Sequence, residues 1–265
     1  MCTENYIKRD LDEQTQILTL TLNRRDNDRN QINSGVIRAL TSMLEPELIK
    51  SALSGVILIS AREKVFSTGA DIDGELKDLN TVEAARFSRF GKEVFALFTA
   101  LSCPTVAALS GFVLGGGLEL ALCCDFRVAT KNVRVGLPEI NLGIIPGWGG
   151  TQRLPRLIGH ARALRMILSG DPVNAATARE YGLVDELVDD HQALLPAAKK
   201  LLAKFNNKSR AAVAMAKRAV YDGAEMSLRS ALALESELFG LSWSTPAREE
   251  GFSAYLERRR PNWSE

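Results

Sequence analysis

The sequence predicts an α/β fold, a buried and mostly parallel sheet followed by a helical C-terminal region. Three observations carry this. Short apolar, β-branched runs at residues 17–22, 55–60 and 104–109 have the length of strands. Segments with helical spacing lie between them, and that alternation builds parallel sheet. From Gln192 onward the pattern is helical only, at 192–205, 209–222, 227–243 and 245–259. We divide the chain at that change, into a core over residues 1–200 and a helical region over 201–265.

The elements follow in order. Residues 17–22 form the first strand, and the polar loop 23–30 carries Arg24, Arg25 and Arg29. Residues 34–50 have helical spacing through Val36, Ile37, Leu40, Met43, Leu44 and Leu48, with Pro46 marking a break or kink. The strand 55–60 precedes a long helix at 81–101, for which Thr81 is the candidate N-cap. The strand 104–109 is closed by Ser110-Gly111. A helix at 117–124, a strand at 125–129 and a short strand at 133–136 come next. After a stretch rich in glycine and proline, one helix resumes near Thr151 and runs through Ser169. Thr245-Pro246 opens the last helix, with Pro at its first position. The C-terminal helices hold more apolar residues than a solvated tail needs, so they should pack on a core or another subunit.

Composition narrows the chemistry. The 265 residues are 46% hydrophobic and 25% charged, ordinary for a globular protein. Lys plus Arg number 33 against 32 Asp plus Glu, so no basic field invites nucleic acid. The helix at 34–50 offers only Arg38 and Lys50, too little for an RNA-binding face. No apolar run reaches the ~20 residues of a membrane span, and residues 1–10 resemble neither a secretory signal nor a transit peptide. Cys2, Cys103, Cys123 and Cys124 form no C-x-x-C pair; a reducing cytoplasm is expected. The only histidines, His160 and His191, lie in charged helical surroundings away from any nucleophile-like motif. Triad chemistry and a His-based metal site are therefore poorly supported, and no metal is expected. Carboxylates and backbone amides remain.

Two turns offer those amides. Phe66-Ser67-Thr68-Gly69-Ala70-Asp71 and Gly115-Gly116-Gly117-Leu118-Glu119 each follow an apolar β-like run. A glycine turn at a helix start is ordinarily a packing device. It also lets a ligand approach free N–H groups at the positive end of a helix dipole. A thioester oxygen that becomes an enolate is such a ligand. Glu119 lies three residues after Gly116 and just before Leu120-Ala121-Leu122. It reads either as a dipole-favoured glutamate or as a partly buried acid with a raised pKa. Glu139, in Leu137-Pro138-Glu139-Ile140, reads alone as an exposed loop residue. The loop that follows, Gly143 to Gly150, has a length and composition that usually signal a role. Asp71 alone would equally be an N-cap, and Arg24 a solvated loop residue.

Together these segments resemble the crotonase family, the enoyl-CoA hydratase/isomerase superfamily, and among its members most an enoyl-CoA hydratase. The resemblance rests on F-S-T-G-A-D at 66–71, S-G-F-V-L-G-G-G-L-E at 110–119 and G-L-P-E-I-N-L-G-I-I-P-G-W-G-G-T-Q-R at 136–153. Tyr181-Gly182-Leu183-Val184 and residues 250–261 also fit. It implies a crotonase-type ββα superhelix core with a helical C-terminal trimerisation region, assembled as a trimer or hexamer. By motif position, Ala70 and Gly116 would supply the oxyanion-hole amides, and Glu119 and Glu139 would be the catalytic acids. Coenzyme A would be part of the substrate, with no separate cofactor. Its contacts would be Arg24, Ala70, Asp71 and Ile72; Asp73 stands where many hydratases carry Lys. Position along the chain assigns Leu76, Leu79, Phe87, Phe90 and Trp148 to the acyl pocket. The implied reaction is reversible addition of water across a 2,3 double bond in acyl-CoA metabolism. The alternatives are Δ3,Δ2-enoyl-CoA isomerisation, decarboxylation, or a non-catalytic CoA- or RNA-binding role.

Overall fold

The computed structural model describes residues 5–50 and 53–263; Cys2 lies outside them. β1 (Ile7–Asp12) and β2 (Ile17–Leu22) form an antiparallel pair, followed by α1 (Ser34–Lys50), which continues past position 46 without a break. The centre of the chain then repeats one unit. β3 (Gly55–Ser60) is followed by β4 (Val65–Ser67) and α2 (Thr81–Ala100). β5 (Thr105–Leu109) is followed by β6 (Phe112–Leu114) and α3 (Gly116–Ala121). β7 (Phe126–Thr130) is followed by β8 (Arg134–Gly136) and α4 (Gly150–Ile158). The first strand of each unit joins a large sheet, and the second joins a small one.

The remaining elements are α5 (His160–Ser169), β9 (Val173–Asn174), α6 (Ala175–Glu180), β10 (Glu186–Val188), α7 (His191–Ala203), α8 (Arg210–Gly223), α9 (Leu228–Trp243) and α10 (Pro246–Leu256). The large sheet has the order β1-β2-β3-β5-β7-β10, parallel except at β1·β2. The small sheet runs β4-β6-β8-β9, parallel except at β8·β9.

Strand periodicity explains why the large sheet is buried on both faces. Leu18, Leu20, Val56, Leu58, Ala107 and Leu109 point to the main core, which they share with α1, α2 and the small sheet. Their neighbours Ile17, Ile57, Ile59, Val106 and Ala108 point the other way. There Leu194, Ala198, Leu201 and Leu202 of α7 cover them. Burial on both sides is what makes these strands read as unbroken apolar runs. Because α7 packs on the sheet as one helix, it carries the core's packing past residue 200.

Two local expectations are corrected. The cap of α2 is Asn80, not Thr81: its side chain accepts from the N–H groups of Val82 and Glu83, and Glu83 accepts in turn from the Asn80 N–H. The single helix expected near 151–169 is two, because Gly159 (φ 83°) closes α4 and leads into α5. The C-terminal α8 is tied to the core through Asp125, which accepts from the Lys217 ammonium at 2.8 Å and the Tyr221 hydroxyl at 2.7 Å. Among the described residues no helix is long and apolar enough to cross a membrane.

Candidate active site

The three parallel strands β4, β6 and β8 are neighbours in the small sheet, and each ends at the same edge. Beyond β4 comes Thr68-Gly69-Ala70, beyond β6 Gly115-Gly116, and beyond β8 Leu137-Pro138-Glu139. Carboxyl ends of parallel strands are where α/β folds place their ligands. Here they open into a cavity of about 1220 Å³ whose walls include Ala70, Gly116, Glu119 and Glu139. A smaller cavity of about 440 Å³, beside Leu53, Pro104 and Phe205, has no carboxylate in its wall among the described residues.

The first turn is held by a clamp. Ile32 donates its N–H to the Gly69 carbonyl at 2.7 Å and accepts from the Asp71 N–H at 2.9 Å. In a parallel bridge the residue between those two groups turns its own N–H to the opposite side. That residue is Ala70, and the opposite side is the cavity. The second turn depends on Gly115, whose φ of 52° and ψ of −128° suit glycine alone. It delivers Gly116 as the first residue of α3, where an N–H has no partner within the helix. A Cβ placed on Gly69 would stand 3.1 Å from the Gly116 nitrogen, and one on Gly116 would stand 3.5 Å from the Ala70 nitrogen. Among the described residues neither N–H has a hydrogen-bond partner. Two free donors thus converge where a carbonyl oxygen could take charge.

The glutamates face the same volume under different conditions. Glu119 is 1% exposed, on the α3 turn that starts at Gly116. Its Oε1 accepts from the N–H groups of Trp148 and Gly150, each at 2.7 Å. Burial pushes its carboxyl upward; those two donors and the charges of Arg153 and Lys92 oppose the shift without cancelling it. Glu139 sits near the start of a 3₁₀ turn, Pro138–Leu142. Burial, reinforced by the Glu119 charge, pushes its carboxyl up to about 7. Its Oε2 is buried without a hydrogen-bond partner among the described residues. A Cβ on Gly115 would stand 2.9 Å from its Oε1, so the carboxyl group lies beside the second donor turn.

The other predicted residues divide. Ile72, Leu76 and Trp148 line the cavity. Arg24 and Asp71 do not: both are buried, and the Arg24 guanidinium donates to Asp71 at 2.6 Å, to Asp26 at 3.0 Å and to the Gln31 carbonyl at 3.1 Å. Asp71 also accepts from the Gly74 N–H at 3.0 Å. The pair braces the turn that presents Ala70. Phe90 packs against the main core, whereas Leu79 and Phe87, expected beside it, line the cavity. The helical period marks this: Ala84, Phe87, Ser88, Gly91 and Lys92 share one face of α2, and Phe90 lies off it. Sequence reasoning also missed the Trp148 and Gly150 amides as holders of Glu119. Their loop looked functional, yet no residue pattern reveals which amide points where. Among the described residues no group of three or more His, Cys, Asp or Glu side chains could hold a metal ion.

Comparison with known proteins identifies the family. The family model described as enoyl-CoA hydratase/isomerase matches residues 12–265. The chain is similar to a crotonyl-CoA hydratase of Syntrophomonas wolfei, 37% identical over 99% of each chain. It is similar to a 2,3-dehydroadipyl-CoA hydratase of Escherichia coli, 39% identical over 94% of this chain and 96% of that one. It superposes on a crystal structure of an enoyl-CoA hydratase from Bacillus anthracis with a TM-score of 0.90 at 34% identity, covering 97% of this chain and 98% of that one. With its fold, its paired N–H donors and its two facing acids, the chain belongs to the enoyl-CoA hydratase/isomerase family.

Proposed function

We propose that this chain is an enoyl-CoA hydratase, adding water reversibly across the 2,3 double bond of an α,β-unsaturated acyl-CoA. The observation that carries the reading is the pair of acids beside the pair of free N–H groups. The thioester oxygen binds at the Ala70 and Gly116 amides, an oxyanion hole that stabilises the enolate as charge moves from C2. Glu119, held by two N–H groups, is the base that takes a proton from the attacking water as its oxygen bonds to C3. Glu139, with its pKa near neutrality, delivers a proton to C2. The balance is one water consumed and one 3-hydroxyacyl-CoA formed, with each acid ready for the reverse elimination. Coenzyme A enters as part of the substrate, and Ile72 and the Ala70 turn are its contacts on this side of the cavity.

The C-terminal helices support an oligomer, a trimer or a hexamer. Leu228, Leu232, Phe239, Trp243 and Tyr255 expose apolar surface that assembly would cover. Cys103, Cys123 and Cys124 are buried and none is in a disulfide, in keeping with a reducing cytoplasm. The deciding experiment incubates the purified protein with crotonyl-CoA in ¹⁸O-labelled water. Incorporation of one solvent oxygen at C3 supports hydration. A shifted double bond or lost CO₂ without solvent oxygen would instead indicate isomerisation or decarboxylation.

A further inference from the structure

We propose that Trp148 sets a ceiling on acyl chain length, making this a site for short 2-enoyl thioesters. The inference rests on the acyl-CoA reading above. It begins with where the indole lies. Trp148 is 3% exposed, and what remains visible faces the cavity. Its six-membered ring presses on Gly116 so closely that Cε3 and Cζ3 would overlap any Cβ there. Its Nε1 and Cδ1 press on Gly91 of α2 in the same way. One aromatic side chain therefore fills the space between α2 and the turn that carries the second oxyanion donor.

The substrate's course follows from the fixed groups. The C1 oxygen sits at Ala70 and Gly116, and C2 and C3 lie before the two glutamates. Glu119 is bonded to the backbone N–H of Trp148 itself. Carbons beyond C3 accordingly meet the indole first. The plug is also rigid. Phe87 and Phe95 pack on it with ring centroids 5.3 and 5.4 Å away, in tilted and edge-on contacts. Phe95 is fully buried in the main core, which backs the plug. Ser88 donates to the Gly147 carbonyl at 2.6 Å, which fastens the loop to α2 one residue before the tryptophan.

A longer tail must turn aside along Leu142, Ile144 and Ile145, which are 57%, 47% and 68% exposed. A site that buries the tail gains about fourfold in affinity for each added methylene. A tail lying on an exposed strip gains little of that, so extra length should add almost no affinity here.

The test compares wild type, Trp148→Phe and Trp148→Ala. Affinities for butyryl-CoA and octanoyl-CoA are measured by calorimetry, and kcat/KM on 2-enoyl-CoAs of four, six, eight and twelve carbons by loss of conjugated absorbance. Wild type should bind the two saturated thioesters within about threefold of each other and hydrate the four-carbon substrate best. Trp148→Ala should raise the octanoyl/butyryl affinity ratio and the eight-to-four-carbon rate ratio at least about tenfold, and Trp148→Phe should fall between. Should Trp148→Ala fail to melt cooperatively, Trp148→Phe decides, with a shift of about threefold or more expected. Unchanged ratios in a folded variant, or a wild type that prefers eight carbons, overturn the proposal. A wild type that binds butyryl-CoA but makes no hydrated product would remove the hydratase reading instead, while the affinity ratios still judge the role of Trp148.

Discussion

Glu119 and Glu139 are the same residue type facing the same cavity, yet the chain treats them differently. Glu119 is anchored in a helix, fully buried, and given two backbone donors. Glu139 stands on a short 3₁₀ turn with one buried oxygen unpaired, and its neighbour's charge is among the forces raising its pKa. The contrast teaches that one side-chain type, placed twice in one cavity, can be given different electrostatic surroundings by where the backbone N–H groups point. Both carboxyls are raised by burial, but only Glu119 has N–H donors opposing the shift. In the proposed hydration that difference favours Glu119 as the proton acceptor and Glu139 as the donor.

The comparison can be broken by mutation. Glu119→Gln and Glu139→Gln should each lower kcat/KM for hydration by ~10²–10⁴. Turnover near wild type in either purified variant would dissolve the division of roles. Next in size is the donor turn both acids face. Gly116→Ala puts a methyl group against the Trp148 ring and moves the N–H, so kcat should fall by ~10²–10³ with the cooperative melt kept. A variant whose KM rises while kcat stands still would mean that this amide binds substrate without favouring the enolate.

The pH profile sharpens the comparison. Glu139 is protonated below pH about 7 and ionised above it. Hydration kcat/KM should therefore decline towards a tenfold loss per pH unit above that point. Glu139→Gln should lose this limb along with most of its rate, whereas Glu119→Gln should retain it, moved to lower pH because the charge that helps raise Glu139 is gone. The smallest effect concerns stability. A carboxyl raised from 4.5 to about 7 by folding favours the fold when protonated, and this benefit disappears as pH rises through the folded value. Glu139→Gln should thus melt a few degrees above wild type at pH 8.5, with the gain fading to nothing below pH about 4.5. Equal melting temperatures across that range would show that Glu139 is not desolvated.

Read alone, each glycine turn is a packing device and Glu139 an exposed loop residue; it is the ordered set of motifs at 66–71, 110–119 and 136–153 that puts the two turns and both glutamates forward together. What the sequence hid was non-local. The Arg24–Asp71 bond spans 47 positions; alone, Arg24 reads as a solvated loop residue and Asp71 as an N-cap, which it is for Gly74, and neither reading reveals that the two hold each other. The clamp by Ile32 on residues 69 and 71 leaves no mark in composition. Short strands escaped for a related reason. Only Ile7 of β1 is fully buried, and its charged neighbours suit an edge that must repel further pairing. At two or three residues, β4, β6, β8 and β9 are too short for periodicity to register. Of these, only the segment containing β8 was anticipated.

The ends of β4, β6 and β8 hold one further consequence. Adjacent strands stand about 4.8 Å apart wherever backbone ladders form, whatever side chains they carry. The spacing from first amide to second amide to acid is thus inherited from main-chain pairing and owes nothing to the long excursions between repeats. Insertions or deletions in those excursions should leave that spacing unmoved. A slip of one residue in β6 would invert every group it presents. Such a scaffold can change what it accepts while keeping the same marks on its scale.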